Sequence, residues 1–243
     1  MFCIALGLGG FGPPRENWLL GPTNCILLEL GAKQGYRMKI EYQVWRFFTP
    51  IVLHSGVIQL FINIFGQLRM GLFLERKWGW YVFFMIYLIS GMAGISISCV
   101  LRPNSTGTAA TAAFIGVLGA YLAQLQMTWY KLEGWQKRIN VSICVLFIII
   151  TIAEGLGRNF VDTSANVGGL IIGMIQGYSI FGKDFVQRWY PRQANLVLFI
   201  GYFCILIYFI VTIAIFYTFS EIDLSTACKV ICPRSKDCNY YDY

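Results

Sequence analysis

The sequence predicts an all-α polytopic membrane protein, and three observations carry that prediction. The chain of 243 residues is 57% hydrophobic and only 13% charged, about half the ~25% charged content of average proteins. Six apolar stretches, at 47–68, 80–101, 107–127, 141–157, 163–181 and 195–219, approach or exceed the roughly 20 residues with which a helix crosses a bilayer. Lys and Arg partition between alternate loops. Arg69, Arg76, Lys77, Lys131, Lys137, Arg138, Lys183, Arg188 and Arg192 fall in one set, against Arg102 and Arg158 in the other. Basic loops stay on the cytosolic side. Residues 69–79, 128–140 and 182–194 are therefore expected in the cytosol, and the tail after 219 in a lumen or exterior. Scattered in this way, the net charge of +7 offers no basic stripe to follow a phosphate backbone, and nucleic-acid binding is not expected.

Taken in order, residues 1–12 are apolar and glycine-rich but too short to span, and no charged segment precedes them to mark a signal peptide. Pro13 and Pro14 stop a helix there. Residues 15–46 are mixed in polarity. A short amphipathic helix is expected from Asn24 to Leu30, with Gly31 as its stop signal. This divides the chain into an apolar N-terminus plus extramembrane loop (1–46), a membrane core (47–182), a cytosolic loop with a C-terminal transmembrane helix (183–219) and a cysteine-containing tail (220–243).

The first span carries His54, Gln59 and Asn63. Gln59 and Asn63 are one turn apart and share a helix face, where such side chains commonly join helices by hydrogen bonds. His54 is the only histidine and is expected to be structural. Trp45, Trp78 and Trp80 read as interfacial aromatics. Glu75 and Arg76, at a membrane edge, are expected to form fold-holding ion pairs. The 141–157 span is short and ends in Gly155, Leu156 and Gly157, so a tilted or re-entrant end is expected.

The third and fifth spans carry small residues at helical spacing. In the third these are Ala109, Ala112, Ala113, Gly116, Gly119, Ala120 and Ala123. In the fifth, Ala165, Gly169, Gly173 and Gly177 recur every fourth residue and line one face. Small faces let two membrane helices approach backbone to backbone, where packing rather than water exclusion drives association.

Of eight cysteines, Cys3, Cys25, Cys99, Cys144 and Cys204 are isolated and read as small core residues, while Cys228, Cys232 and Cys238 cluster in the tail. That cluster invites a disulfide, in keeping with a tail outside the cytosol, but three leaves one over without another partner. No metal site is assigned, because three thiolates lack a local fourth ligand. No cofactor is expected. Asp162 and Glu154 do not make an intramembrane aspartyl dyad, since only Asp162 is available and it lies at a boundary.

The third and fifth spans resemble the serine-bearing and histidine-bearing helices of the rhomboid intramembrane proteases. Where that family reads Gly-x-Ser-Gly, this chain has Ala109, Ala110, Thr111 and Ala112; where it reads Ala-His-x-x-Gly, this chain has Ala165, Asn166, Val167, Gly168 and Gly169. The run from Asn17 to Pro22, the Trp45-Arg46 pair and the run from Leu74 to Gly79 also resemble family motifs, and the likeness covers roughly 17–182. The resemblance implies a rhomboid-like bundle of six transmembrane helices, with the family's first helix missing or degenerate and an extra C-terminal helix. It places Gln59 and Asn63 at the oxyanion-stabilising positions, with Gln59 in place of a histidine. It implies single-span transmembrane proteins as clients or substrates within the lipid bilayer.

The substitutions bear on chemistry. A triad-type site needs a hydroxyl nucleophile and an imidazole base within hydrogen-bond reach. Thr111 keeps a hydroxyl, which in mid-helix tends to bond a carbonyl one turn back. The amide of Asn166 has no basic lone pair near neutral pH and cannot relay the proton. A Thr111–Asn166 hydrogen bond joining the two helices is expected instead. Three functions follow: a pseudoprotease that binds clients without cutting, an active intramembrane protease using Thr111, or a transporter or channel of another fold. The last predicts charges along a path, and the spans hold almost none at mid-depth.

Overall fold

The computed structural model describes residues 1–13, 17–155, 162–187 and 189–222. No strand occurs among them; a single bridge joins Lys33 to Gly107. Three short helices come first: α1 (Phe2–Gly9), α2 (Asn24–Glu29) and α3 (Gly35–Lys39). Gly31, at φ 100°, turns the chain out of α2 where other residues would be strained. The side chain of Arg46 then ties this segment down, donating from Nη1 to the carbonyls of Leu28 at 2.8 Å and Ala32 at 2.6 Å.

The first span differs from the expected 47–68. Residues Val44–Phe47 and Thr49–Val52 are 3-10 turns, and the membrane helix begins only at Val57. It is α4 (Val57–Gly66), continued through a π-turn at Gln67–Gly71 into α5 (Leu72–Trp78). The expected cytosolic loop 69–79 is thus helix almost to its end, and only Gly79, at φ 86°, breaks it. The physical reason is that nothing between Gln67 and Trp78 stops a helix. Its basic side chains sit at the helix end, where long stems let charged heads reach water.

The remaining helices are α6 (Trp80–Leu101), α7 (Ala110–Met127), α8 (Gly134–Gly155), α9 (Thr163–Gln187) and α10 (Ala194–Thr218). α8 starts seven residues before its expected position at 141 and has full spanning length; residues 156 and 157, where a tilted or re-entrant end is expected, lie outside the described residues. The 182–194 loop is likewise shortened, because α9 continues to Gln187. Five helical segments, including the continuous one from Val57 to Trp78, are long and apolar enough to cross a membrane. The other expected crossing, α9, falls short of that apolarity. Glycines, Asn166 and Gln176 dilute it, and one side of it packs on α7, α6 and α10.

The closest packing in the bundle is α7 on α9. A Cβ added at Gly169, Gly173 or Gly177 would collide with the carbonyl oxygens of Ala112, Gly116 and Ala120 respectively. The small-residue faces therefore meet backbone to backbone. Gln176 Nε2 donates to Ser90 Oγ of α6 at 3.0 Å, and Tyr208 of α10 donates to the Ala93 carbonyl at 2.7 Å. α8 packs mainly on α7 and more lightly than these helices pack on one another.

One ion pair is found among the described residues, Lys33–Asp162. Glu75 and Arg76 form none, contrary to expectation. Both lie on a helix end near water, where pairing gains little. Among the isolated cysteines, Cys99 and Cys144 are buried as expected, but Cys3 and Cys204 are exposed. Cys25 is disulfide-bonded, so it is not a plain core residue. Arg158, Arg188, Cys228, Cys232, Cys238 and the Glu154 side chain lie outside the described residues.

Candidate functional site

Thr111, Gln59, Asn63 and Asn166 are all buried towards the end of the bundle where α7 and α9 begin. Thr111 is the second residue of α7 and has no helical carbonyl one turn back to accept its hydroxyl. Its oxygen instead accepts two hydrogen bonds from α4, from Gln59 Nε2 at 3.1 Å and Asn63 Nδ2 at 2.8 Å. The one-turn spacing of the two amides makes this possible, since both project from the buried face of α4 together with Gly66. The Gln59 Oε1 accepts from the Ser55 amide at 2.6 Å, and Ser55 Oγ lies 3.0 Å from Thr108 Oγ1. A polar chain thus runs from the loop before α4 to the start of α7.

Asn166 stands apart from that chain. Neither atom of its side-chain amide has a hydrogen-bond partner among the described residues. The expected Thr111–Asn166 hydrogen bond is absent; the Thr111 oxygen accepts from α4 instead. His54 makes no bond to Thr111 either. Burial, then the nearby N-terminal ammonium, pushes its imidazole down to about 4, so it is neutral near pH 7.

What places Asn166 is a cluster around Asp162 whose other members sequence reading did not single out. The Asp162 carboxylate accepts from the Ala165 amide at 3.2 Å and from Ser164 Oγ at 2.7 Å, capping α9. Its other oxygen accepts from Ser98 Oγ and, at 3.2 Å, from Lys33 Nζ. Lys33 is wholly buried and also donates to Ser98 Oγ at 2.6 Å, the Arg102 carbonyl at 2.9 Å and Ser105 Oγ at 2.9 Å. It therefore joins the end of α6, the approach to α7 and the start of α9. Burial alone would raise the Asp162 carboxyl; the Lys33 ammonium and three hydrogen bonds outweigh it and hold the carboxyl below its ordinary range. Asp162 serves as a cap and counter-ion rather than an acid catalyst.

Beside the site, α4 and α8 diverge. Phe61, Ile62, Phe65, Arg69, Ile143, Leu146, Phe147 and Ile150 line an apolar cleft of about 360 Å³. Phe147 packs edge-on against Phe114, one turn along α7 from Thr111. The cleft and the polar centre are thus separated by one aromatic layer.

The Thr111 network is directly testable. Thr111→Val keeps the shape but leaves the Gln59 and Asn63 amides buried without their acceptor, which costs ~1–3 kcal/mol per orphaned group. Thermal unfolding in detergent should show a midpoint lower by at least about 2 °C, whereas Thr111→Ser should leave it near the native value. Equal midpoints for Val and native protein would show that the network contributes nothing.

A helical bundle with a hydroxyl at the start of one core helix, two amides aimed at it and a small-residue partner helix is a membrane protein organised around a buried polar site. Sequence comparison specifies it further. The rhomboid domain family matches residues 41–183, more than half of the chain, and the chain belongs to the rhomboid family. It is 35% identical to RHOMBOID-like protein 6, mitochondrial, of Arabidopsis thaliana over 179 residues, covering 72% of this chain and 57% of that protein. It is 30% identical to Inactive RHOMBOID-like protein 8 of the same plant, covering 68% of this chain and 46% of that protein. Its identity to Rhomboid-like protease 1 of Toxoplasma gondii is 28%, covering 70% and 58% respectively. The chain spans about half to three fifths of the length of the curated relatives it matches.

Proposed function

We propose that this protein is a rhomboid-like pseudoprotease that binds the helices of single-span transmembrane clients from the side without cleaving them. The observation that carries the reading is Asn166. It occupies the base position, has no proton-accepting nitrogen near neutral pH, and makes no bond to Thr111. Loss of a triad base typically lowers turnover by up to roughly a million-fold. In support of binding, the cleft between α4 and α8 is apolar and opens beside the polar centre. The basic residues near 69–79, 128–140 and 182–194 support an orientation with those ends in the cytosol and the Thr111 end in a lumen or exterior.

A second reading, active proteolysis with Thr111 as nucleophile, is favoured by one observation. The Thr111 oxygen retains two amide donors, a preorganised arrangement that can stabilise negative charge. The relatives' names point both ways, one called inactive and another a protease.

The test is cleavage of a permissive rhomboid model substrate in liposomes, native protein beside a Thr111→Ser, Asn166→His double variant. Inert native protein and a cutting double variant are expected. Native cleavage that vanishes in Thr111→Ala would establish the protease reading instead. Photo-crosslinkers at Phe61 and Leu146 should capture a single-span helix, while one at Phe199, on α10, should not.

A further inference from the structure

A single charged side chain lines the cleft between α4 and α8. Of the eight residues around it, seven are apolar and the eighth is Arg69. Arg69 lies within the continuous apolar helix from Val57 to Trp78, nine residues before its end, or about 14 Å of helix. That is roughly two turns deeper than Arg76 and Lys77. Among the described residues its guanidinium makes no ion pair and no hydrogen bond. An ionised group at such a depth is costly without a partner, and here the partner has to come from what enters the cleft. We infer, on the client-binding reading above, that the cleft selects single-span helices carrying an Asp or Glu side chain opposite Arg69.

The helix is shaped to present Arg69 there. Phe61, Phe65 and Arg69 line the cleft at four-residue spacing. Four residues overshoot a 3.6-residue turn, so such a row drifts around a regular helix. Arg69 stands at the centre of the π-turn Gln67–Gly71, whose wider turn takes up the excess. The row therefore stays in the cleft for a third step. Helical side chains also lean toward the N-terminal end of their own helix. For Arg69 that direction is toward Phe65, away from Arg76 and Lys77. Its stem leans along the cleft and not out toward the lipid headgroups, which favours the carboxylate of a docked helix over a lipid phosphate.

The chemistry of the pair gives both attraction and rejection. A guanidinium forks onto a carboxylate through two parallel N–H···O bonds. Formed away from water, each charge replaces part of the hydration that the other loses. A helix of leucines alone would strip water from Arg69 and give no acceptor in return. A helix with a lysine at that depth would meet a like charge. Arg69 thus discriminates against both while it holds the acidic client. The selection acts on docking and is independent of whether Thr111 cleaves.

The experiment uses the full chain with a photo-crosslinker at Leu146, in vesicles of phosphatidylcholine. Two leucine-rich single-span helices are offered, differing in one glutamate placed about nine residues from the membrane face where α5 ends. The glutamate helix should be captured roughly tenfold more than the leucine helix. Arg69→Gln should abolish the difference while the unfolding midpoint stays near native, since Arg69 joins no other element. Arg69→Glu should reverse the preference, toward a helix with lysine in place of the glutamate. Equal capture of both helices by the native chain would overturn selection by charge and leave client binding standing. Capture of neither would overturn the two together. A glutamate preference that persists in Arg69→Gln would overturn the role of Arg69. So would a preference that disappears when phosphatidylserine is added to the vesicles, which would assign Arg69 to a lipid headgroup.

Discussion

Lys33→Met will lower the unfolding midpoint by about 6–20 °C, because removing one partner of a buried pair costs ~3–5 kcal/mol in a chain of this size. The loss arises less from the missing attraction than from what remains. Asp162 has almost no exposed surface and would be left a carboxylate with no cation in a site closed to water. The Arg102 carbonyl would lose a donor as well. The signature is in the pH dependence. In the native protein the Asp162 carboxyl titrates below its ordinary range. Its contribution to stability is therefore present above the unfolded value and is lost as pH falls through the folded one. Without Lys33 the carboxyl is raised by burial, and the sign reverses: the variant is least destabilised in mild acid, where the orphan can take up a proton. A Lys33→Met, Asp162→Leu double variant should recover much of the loss. An unfolding midpoint for Lys33→Met within about 2 °C of native at pH 8 would refute the placement of Lys33 as the joint between α6, α7 and α9.

Gly173→Leu should be still more damaging. Overpacking a membrane or soluble core costs ~1–3 kcal/mol where side chains can shift. Here the atoms in the way are the carbonyl oxygen, carbonyl carbon and Cα of Gly116, and no rotamer moves them. α7 is closely packed against α6 as well, since a Cβ at Gly116 would meet Ser90. The expected outcome is loss of the folded bundle, read as failure to elute as a single species in detergent. Where some protein survives, its midpoint should fall by more than about 6 °C. Gly134→Ala is the control, since a Cβ there meets nothing within 4 Å. Unchanged behaviour of Gly173→Leu would mean that α7 and α9 do not touch backbone to backbone.

Both predictions concern contacts of different legibility. The Gly173 contact could be read in advance, because a four-residue repeat of small residues is local information and defines a face in any helix. The same is true of Gln59 and Asn63, one turn apart on α4. Lys33 could not be read in this way. It sits in a polar stretch, and its partners Ser98, Ser105 and Asp162 lie 65, 72 and 129 residues away. Cys25 was likewise read as isolated, since its disulfide is not a local pattern. The late start of the first membrane helix was hidden because the apolar residues from Phe47 to Leu53 look like the beginning of a span. The 3-10 turns there carry the chain towards the start of α7, where the Pro50 carbonyl accepts from the Ala109 amide at 2.8 Å.

By itself the sequence determined the membrane class, the approximate spans and the two small-residue faces. These follow from composition, period and residue identity, which need no partner to be read. Only the tertiary structure decided which groups meet. Thr111 is held by Gln59 and Asn63 and not by Asn166, and the starts of α7 and α9 are joined through Lys33. The physical reason is that a hydrogen bond or buried ion pair depends on ångström-scale approach between helices, and that approach is set by how closely the backbones of α7 and α9 pack.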